Sequence, residues 1–320
     1  MHPGGTYAPR GYLVRAYGCL ACIRHFWRVF RCAIHLCGLG YGASARPRST
    51  SACAVIFVEV IADSAYLDTR LTTVRVRYPR IILAEVNTHR AFSRNAASTR
   101  AVSLDRQLAA VWHDPYIPSE WPATKRGMAG GAPLADVDAD RARAAWLEAR
   151  DYAVIQAREL QRLGVHRQHV GRLIEPWAWV DAIISATEWD NFFALRIAPE
   201  AQPEIRALAI AIRDALAAST PRTVGLQDWH IPWHIEDPRM SFVESLIATG
   251  GRLARVSYGR PGSDPDPLAD LALGRRLIAA GHWSPFEHIG IAHYGAAPSN
   301  FRKWIQYRHE LERKTKQGEL

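Results

Sequence analysis

Residues 81–100 read Ile-Ile-Leu-Ala-Glu-Val-Asn-Thr-His-Arg-Ala-Phe-Ser-Arg-Asn-Ala-Ala-Ser-Thr-Arg. The first six residues form a mostly apolar run that has to bury part of its surface, and the remaining fourteen include three Arg, two Ser and two Asn. Guanidinium, hydroxyl and amide groups donate hydrogen bonds to oxyanions such as phosphate. The stretch therefore predicts an anion-binding turn that is fixed to a buried element.

The residues before this stretch predict two strands. Residues 55–61 form a β-branched run, Val-Ile-Phe-Val-Glu-Val-Ile. Residues 72–78, Thr-Thr-Val-Arg-Val-Arg-Tyr, alternate between polar and apolar side chains. Pro79 ends the second strand. Residues 80–90 then predict a helix that carries His89 and Arg90 at its C-terminal end.

The rest of the chain predicts mainly helices. Residues 113–135 are rich in Pro and Gly and predict a long loop, and Asp138 follows as a candidate helix cap. Residues 177–197 are apolar and aromatic. The predicted helices cover residues 139–163, 165–175, 203–218, 241–253, 266–280 and 299–313.

The positive charge of the chain is concentrated in its first residues. The 320 residues carry a net charge of +9, with 48% hydrophobic and 22% charged residues, which is typical of a globular protein with a sizeable core. Residues 1–53 contain seven Arg and no acidic residue, so 9 − 7 leaves +2 for residues 54–320. This balance argues against a duplex nucleic acid as partner. We expect a cytoplasmic protein without a membrane segment, since Arg24, Arg28 and Arg31 interrupt the apolar runs of the leader.

All five cysteines also lie in this leader, at positions 19, 22, 32, 37 and 53. A four-thiolate zinc site is one interpretation of the first four, but their spacing is irregular, and a disordered or non-native extension is the favoured one. His166 and His169 are three residues apart but have no accompanying carboxylate motif, so we expect no metal site there. We therefore predict a leader, 1–53, and one folded domain, 54–320.

The stretch around His89 resembles the signature of the flavin-dependent thymidylate synthases, in which Arg-His-Arg is followed, after seven residues, by Ser. Two positions differ from the family: Thr88 replaces the first Arg, and Ala96 replaces a Glu that usually lies two residues before the Ser. The residues that match are His89, Arg90, Asn95, Ser98 and Arg100.

A second block, Thr187-Glu-Trp-Asp-Asn-Phe-Phe-Ala-Leu-Arg196, resembles the Asn-Phe-Leu-x-Leu-Arg block of the same family. Arg196 lies at the position of the family Arg that contacts the pyrimidine and favours its ionisation at N3. A guanidinium stays charged at any relevant pH, so it suits the stabilisation of negative charge on the ring. The alternative interpretation is a surface ion pair with Asp190 or Glu204.

Two further elements extend the resemblance. Arg172-Leu-Ile-Glu-Pro176 is similar to an Arg-x-x-x-Pro element whose Arg contacts the nucleotide phosphate. Ala254-Arg-Val-Ser-Tyr-Gly259 and Gly281-His-Trp-Ser-Pro-Phe-Glu-His288 are similar to a motif pair in which the residues at the positions of Ser284 and Glu287 contact FAD.

The order of the motifs is permuted. In other family members the pair precedes the Arg-His-Arg signature, whereas here it follows the signature by about 190 residues. The site therefore forms only if the two segments meet in space, within one subunit or across a subunit interface. Residues 300–309 place cations and aromatic rings on the last predicted helix.

The resemblance implies an α/β fold with a central sheet flanked by helices, assembled as a homotetramer with FAD at subunit interfaces. The implied reaction transfers a methyl group, derived from methylenetetrahydrofolate, to C5 of dUMP and gives dTMP, with NADPH as reductant. Residues 54–320, which lack Cys, would form the catalytic domain, because a flavin route needs no thiol nucleophile.

The resemblance also assigns the residues of the site. Flavin contacts fall to His89, Arg90, Asn95, Ser284 and Glu287. Nucleotide contacts fall to Glu85, Ser98, Arg100, Arg172 and Arg196, and Ser98 and Arg196 are the candidate catalytic residues.

Two alternatives stay open. A related flavin-dependent hydroxymethylase would let water quench the transferred carbon, on dUMP or on dCMP, and the substitutions at Glu85 and Ala96 leave the choice of base open. A non-catalytic nucleotide- or RNA-binding protein would use Arg and the eleven Trp for stacking. A yellow purified protein would exclude the second alternative.

Overall fold

The computed structural model describes residues 56–259, 266–295 and 299–318. The predicted leader, 1–53, and its zinc alternative lie outside these residues. The strands are β1 (Phe57–Tyr66), β2 (Thr69–Pro79), β3 (Ser93–Ala96), β4 (Trp179–Ala186), β5 (Arg222–Thr223), β6 (Trp229–His230), β7 (Gly290–Ala292) and β8 (Trp304–Gln306).

Helices connect and cover these strands. They are α1 (Leu83–Asn87), α2 (Leu104–His113), α3 (Asp136–Arg162), α4 (Arg167–Val170), α5 (Asp190–Arg196), α6 (Pro203–Ala218), α7 (Phe242–Ala254), α8 (Pro267–Ala279) and α9 (Tyr307–Gln317). Short 3-10 helices lie at Arg80–Ile82, Gly171–Trp177, Arg255–Tyr258 and Ser284–His288.

The central sheet has the strand order β3-β4-β2-β1-β5. Its pairs are antiparallel except for β1 with β5, which is parallel. A smaller antiparallel sheet has the order β6-β7-β8. The predicted α/β class with a central sheet and flanking helices is confirmed.

The two faces of the central sheet differ in chemistry because side chains alternate along a strand. Val74 and Val76 of β2 are fully buried and belong to the same apolar cluster as Leu208 and Ile212 of α6. The residues that alternate with these valines along β2, Thr73, Arg75 and Arg77, point to the opposite face of the sheet. On β4, Thr73 faces Ser185 and Arg77 faces Asp181 in the register. This second face carries the polar groups of the candidate site.

Helices α7 and α8 approach each other through glycine. A Cβ atom on Gly251 would lie 2.0 Å from the backbone oxygen of Asp270, and one on Gly274 would lie 2.2 Å from that of Ile247. The close approach brings Arg252 and Arg255 to Asp270, which is fully buried and bonded to both. The Ala-Arg-Val-Ser-Tyr motif is therefore fixed to α8 by a buried carboxylate.

Two predicted helices are wrong in part. The helix predicted over 80–90 is a 3-10 turn followed by the short α1, because the chain turns after Asn87 to bury His89 and Phe92. The helix predicted over 299–313 begins only at Tyr307. The residues before it form β8, whose Trp304 is fully buried. Pairing with β7 overrides the local helical pattern there.

The other helices follow the prediction more closely. The helix over 203–218 has the predicted bounds, and α7 and α8 differ from theirs by one residue at each end. The long helix α3 begins at Asp136, so Asp138 lies in its first turn and is not its cap. Residues 165–175 divide into α4 and a 3-10 segment that contains Pro176. Residues 177–197 contain β4 and α5.

Within residues 56–259, 266–295 and 299–318, no helix is both long enough and apolar enough to cross a bilayer.

Candidate functional site

Three cavities adjoin one another through shared lining residues. The arginine cavity, of about 320 Å³, contains Ser98. The Arg172 cavity, of about 500 Å³, shares Arg80 and Glu175 with it. The Ser284 cavity, of about 600 Å³, shares Asn87 with the Arg172 cavity. All three volumes fall within the range of roughly 300–1,000 Å³ that is usual for small-molecule sites.

Four guanidinium groups and three carboxyl groups line the arginine cavity. Arg75 Nη2 lies 3.7 Å from Asp181 Oδ1, and the guanidinium of Arg77 lies 5.2 Å from the Trp179 ring. Burial raises the pKa of Asp181, against the effect of the nearby arginines, and this favours its neutral form. The cavity therefore has a net positive charge and suits an anion. The charged residues of its lining are Arg75, Arg77, Arg80, Arg106, Asp114, Glu175 and Asp181.

The Ala-Arg-Val-Ser-Tyr segment holds Ser98 at the edge of this cavity. Its backbone N–H donates to the Ser257 carbonyl at 3.0 Å, and its hydroxyl accepts from the Arg100 backbone N–H at 3.3 Å. Arg100 itself is exposed. The structure thus brings Ser98 beside the Ala-Arg-Val-Ser-Tyr segment despite their distance in sequence.

Glu175 links the arginine cavity to the Arg172 cavity. Its Oε1 accepts from Arg80 Nε at 2.8 Å and from Arg172 Nη1 at 2.9 Å. The Arg172 side chain is 60% exposed, so its guanidinium can also reach a ligand.

The signature segment and the permuted motif meet at the Ser284 cavity. Arg90 and Arg94 line it together with Ser284 and Glu287. The Glu287 carboxylate forms an ion pair with Arg308 of α9. Asn95, another candidate flavin contact, is buried directly behind Ser284 and forms a hydrogen bond with it. In the sequence, 189 positions separate the two residues.

His89 lies in an aromatic cluster and not in the cavity wall. It is buried, and its ring centroid is 4.9 Å from Phe192 and 5.6 Å from Phe92. Burial lowers the pKa of His89, and the neighbouring Arg196 and Arg94 lower it further, so the ring is neutral at pH 7. A neutral ring has a free nitrogen lone pair that can accept a hydrogen bond.

Arg196 bonds to the signature segment. Its Nε donates to His89 Nε2 at 2.9 Å, and its Nη2 donates to Thr88 Oγ1 at 3.2 Å. The alternative pairing with Asp190 or Glu204 is not the one that forms, and Glu204 instead accepts from the Tyr116 hydroxyl. Thr88, which replaces the first signature Arg, therefore helps to hold Arg196.

Glu85 lies in the first turn of α1, and one of its two carboxylate oxygens is buried. This Oε2 atom has no hydrogen-bond partner among the described residues. A buried carboxylate oxygen without a donor is costly, and Glu85 lines none of the three cavities.

The sequence analysis named none of the seven charged residues of the arginine cavity as a candidate site residue. The alternation of Arg75 and Arg77 with valines placed both on one face of β2, and this was the available signal. Asp181 interrupts an apolar run, but only the strand register places it opposite Arg77.

Two buried histidines lie beneath the site, His230 of β6 and His288 of the permuted motif. Both are fully buried, and burial lowers the pKa of each from 6.5 to about 3. In the unfolded chain these side chains titrate near the usual value. Below about pH 6.5 the unfolded state therefore binds more protons than the folded state.

We expect acid to weaken the fold progressively as the pH falls from about 6.5 towards about 3. The free energy of unfolding, measured with urea at about pH 7 and about pH 5, should be lower at the acid value. His230→Gln should make this decline shallower, because one buried titrating group is removed. His169→Gln, at an exposed position, is the control. Equal slopes for the two variants would contradict the prediction.

The fold and the three cavities define an α/β protein with an anion-binding surface at one side of its central sheet. Residues 65–222 match the model of the family described as "Thymidylate synthase complementing protein". This match confirms the resemblance to that family for the motifs that lie within residues 65–222. The match ends before the permuted pair at 254–288.

Solved structures give a weaker likeness. A UMP/dUMP methylase, PolB from Streptomyces cacaoi bound with 5-Br UMP, shares 16% identity at a TM-score of 0.43, covering 51% of this chain and 89% of that chain. The same enzyme bound with 5-Br dUMP shares 15% identity at a TM-score of 0.42, covering 51% and 90%. No curated protein matches the chain.

Proposed function

We propose that the protein is a flavin-dependent enzyme that transfers a one-carbon group to C5 of dUMP. In this proposal methylenetetrahydrofolate is the carbon donor, NADPH is the reductant, FAD is the cofactor and dTMP is the product. The observation that carries the proposal is the meeting of Arg90, Ser284 and Glu287 at one cavity, from two family motifs far apart in sequence. The match of residues 65–222 to the model of the thymidylate synthase complementing family supports it.

The Ser284 cavity has a donor set that fits FAD. The guanidinium groups of Arg90 and Arg94 would bind the pyrophosphate, and Phe92 offers an apolar surface for a ring. The hydroxyl of Ser284 and the carboxylate of Glu287 would bind donor groups of the cofactor. When bound, FAD would supply the hydride-carrying chemistry that side chains lack. His89 would support this wall from behind through its contact with Phe92.

The arginine cavity and the Arg172 cavity fit a nucleotide. Their guanidinium groups would bind the phosphate, and the Ser98 hydroxyl would orient the nucleotide at the cavity edge. Arg196 would stabilise the negative charge that develops on the pyrimidine. Its bonds to His89 and Thr88 fix the direction of the guanidinium before a ligand enters.

The proposal includes a cytoplasmic homotetramer. Arg90 and Arg100 are exposed in the single chain. A second subunit would cover these groups and complete the site around FAD and the nucleotide.

A dCMP substrate is the second candidate, and Glu85 favours it. The exocyclic amino group of cytosine is a donor that uracil lacks, and a carboxylate accepts hydrogen bonds from such a group. A hydroxymethyl product would follow if water, and not hydride, completes the reaction.

One experiment tests these proposals together. The purified protein is examined by absorbance and then incubated with FAD, NADPH, methylenetetrahydrofolate and either dUMP or dCMP. We expect a flavin spectrum and a nucleotide whose mass has increased by that of a methylene unit. The mass also separates a methyl from a hydroxymethyl product. A folded protein that neither retains FAD nor changes either nucleotide would overturn the proposal.

We expect a chain that begins at Ala54 to fold and to bind FAD as well as the full chain does. All the family motifs lie beyond the leader, and the described cavities are lined only by residues of 56–318. Absorbance after gel filtration gives the flavin content per chain, with the full chain as control. A folded but colourless shorter chain would contradict the prediction.

A further inference from the structure

A chain of buried hydrogen bonds crosses the polar face of the central sheet and ends at the Ser284 cavity. It begins on β1, where Ser64 Oγ lies 2.9 Å from His230 Nδ1. His230 Nε2 lies 2.8 Å from Thr73 Oγ1, which in turn lies 2.6 Å from Ser185 Oγ. All four residues are at least nine-tenths buried.

The second half of the chain leads into the site. Ser185 Oγ lies 2.8 Å from His288 Nδ1, and His288 Nε2 lies 3.0 Å from the side-chain amide of Asn95. The same amide lies 3.2 Å from the Ser284 hydroxyl. Elements distant in sequence are thus joined to one exposed hydroxyl at the cavity wall.

The atoms around Asn95 determine which terminal atom of its amide is the nitrogen and which is the oxygen. The terminal atom beside His288 lies 3.1 Å from the Ser284 carbonyl oxygen and 3.2 Å from the Arg94 carbonyl oxygen. Both carbonyl oxygens can only accept, so this atom is the amide nitrogen. The other terminal atom is Oδ1, and it accepts from the Ser284 hydroxyl at 3.2 Å.

The amide then fixes the proton on His288. Since an NH2 group faces His288 Nε2, this ring nitrogen has to be the acceptor. A neutral imidazole carries its one proton on the other nitrogen, so Nδ1 donates to Ser185 Oγ. Continued in the same direction, Ser185 donates to Thr73, Thr73 to His230 Nε2, and His230 Nδ1 to Ser64. Every member then has a partner.

We propose that Asn95 and His288 are positioning residues that direct the hydroxyl proton of Ser284 towards Asn95 Oδ1. Ser284 then presents only oxygen lone pairs to the cavity. The cavity then has two chemically distinct walls. Arg90 and Arg94 donate to anionic groups, whereas Ser284 and Glu287 accept from a hydroxyl or an N–H group. A flavin has both kinds of group, a pyrophosphate and ribityl hydroxyl or ring N–H donors. The assignment to a flavin rests on the proposed function, whereas the direction of the hydrogen bonds does not.

The first test measures the tautomer of His288 directly. The full chain, labelled with ¹⁵N-histidine and without ligand, is examined by NMR at about pH 7, and the His288 signals are assigned by their loss in His288→Gln. We expect a neutral ring with the proton on Nδ1. A proton on Nε2, or a charged ring, would overturn the inference. Because no ligand is present, this result is independent of whether FAD is the cofactor.

The second test uses binding of FAD, followed by flavin fluorescence. Loss of the acceptor in Ser284→Ala should weaken binding between about twofold and about tenfold, as expected for one hydrogen bond. His288→Leu should weaken it similarly, because the amide nitrogen of Asn95 loses one of its three acceptors and keeps only the Ser284 and Arg94 carbonyl oxygens. His288→Gln should restore most of the affinity, since its carbonyl can accept from Asn95 and its NH2 can donate to Ser185.

These variants separate the two proposals. Wild-type protein that binds no FAD contradicts the proposed function, while the tautomer still decides the inference. Folded His288→Leu protein that binds FAD as tightly as wild type would overturn the positioning role. If His288→Leu does not fold, the tautomer and the Ser284→Ala affinity decide: a proton on Nε2, or unchanged affinity in Ser284→Ala, overturns the inference.

Discussion

Replacing Arg196 by Lys should lower the turnover per bound flavin on the order of 100-fold, because one well-placed donor to a developing charge is lost. The guanidinium of Arg196 donates to His89 and to Thr88 through two different nitrogens and keeps its remaining N–H groups for a ligand. A lysine ammonium is a single point of charge and cannot hold this geometry. Turnover is measured per flavin, with flavin content read from absorbance.

The matched control is Arg206→Lys on α6. Arg206 donates to the Pro199 carbonyl and pairs with Glu120, and the family motifs do not assign it to the site, so its loss should leave turnover unchanged. If Arg196→Lys instead loses FAD and keeps its rate per flavin, then Arg196 acts only by holding His89.

Removing the carboxylate of Asp270 should destabilise the fold by about 3 kcal/mol, which is the lower end of the range for breaking a buried ion pair. Asp270 is fully buried between Arg252 and Arg255, whose side chains are 15% and 21% exposed. In Asp270→Ala both guanidinium groups lose their counter-charge, although their partial exposure lets water reduce the cost. The free energy of unfolding in urea measures the effect.

Glu159→Ala is the control for Asp270→Ala. Glu159 pairs with Arg162 on the surface of α3, with side-chain exposures of 47% and 71%. Exposed pairs of this kind contribute little to stability. An equal loss of stability in the two variants would show that the Asp270 cluster is not the junction between α7 and α8 that its burial indicates.

Local sequence patterns predicted the elements whose own side chains determine them. The alternation over residues 72–78 predicted β2, and the apolar spacing of residues 203–218 predicted α6 with its observed bounds. Residues 299–313 behaved differently. Their composition favours a helix, but Trp304 is buried against the central sheet in β8, and a partner strand far away in sequence decides this. Such pairing has no local signal.

The residues of the candidate site also fall into two groups, those that local motifs predict and those that only tertiary packing determines. The motifs identified Arg90, Ser284 and Glu287, and the structure brings these three to one cavity. The partners of Arg196 were not predictable, because nothing in the sequence indicates that α5 packs against the signature turn. Asp181 likewise became a site residue only through the register between β2 and β4.

The hydrogen bond between Asn95 and Ser284 also has a consequence for how the protein is made. The two residues are separated by 189 positions, and such long-range contacts at the Ser284 cavity form late because loop closure has to precede them. At a synthesis rate of about 5–20 residues per second, roughly 10–40 s pass between the emergence of the two segments from the ribosome. During this interval the aromatic signature turn and the edge strand β3 lack the motif that later covers them. We therefore expect chaperones to bind the nascent chain in this window, and closure of the Ser284 cavity to be the last step of folding.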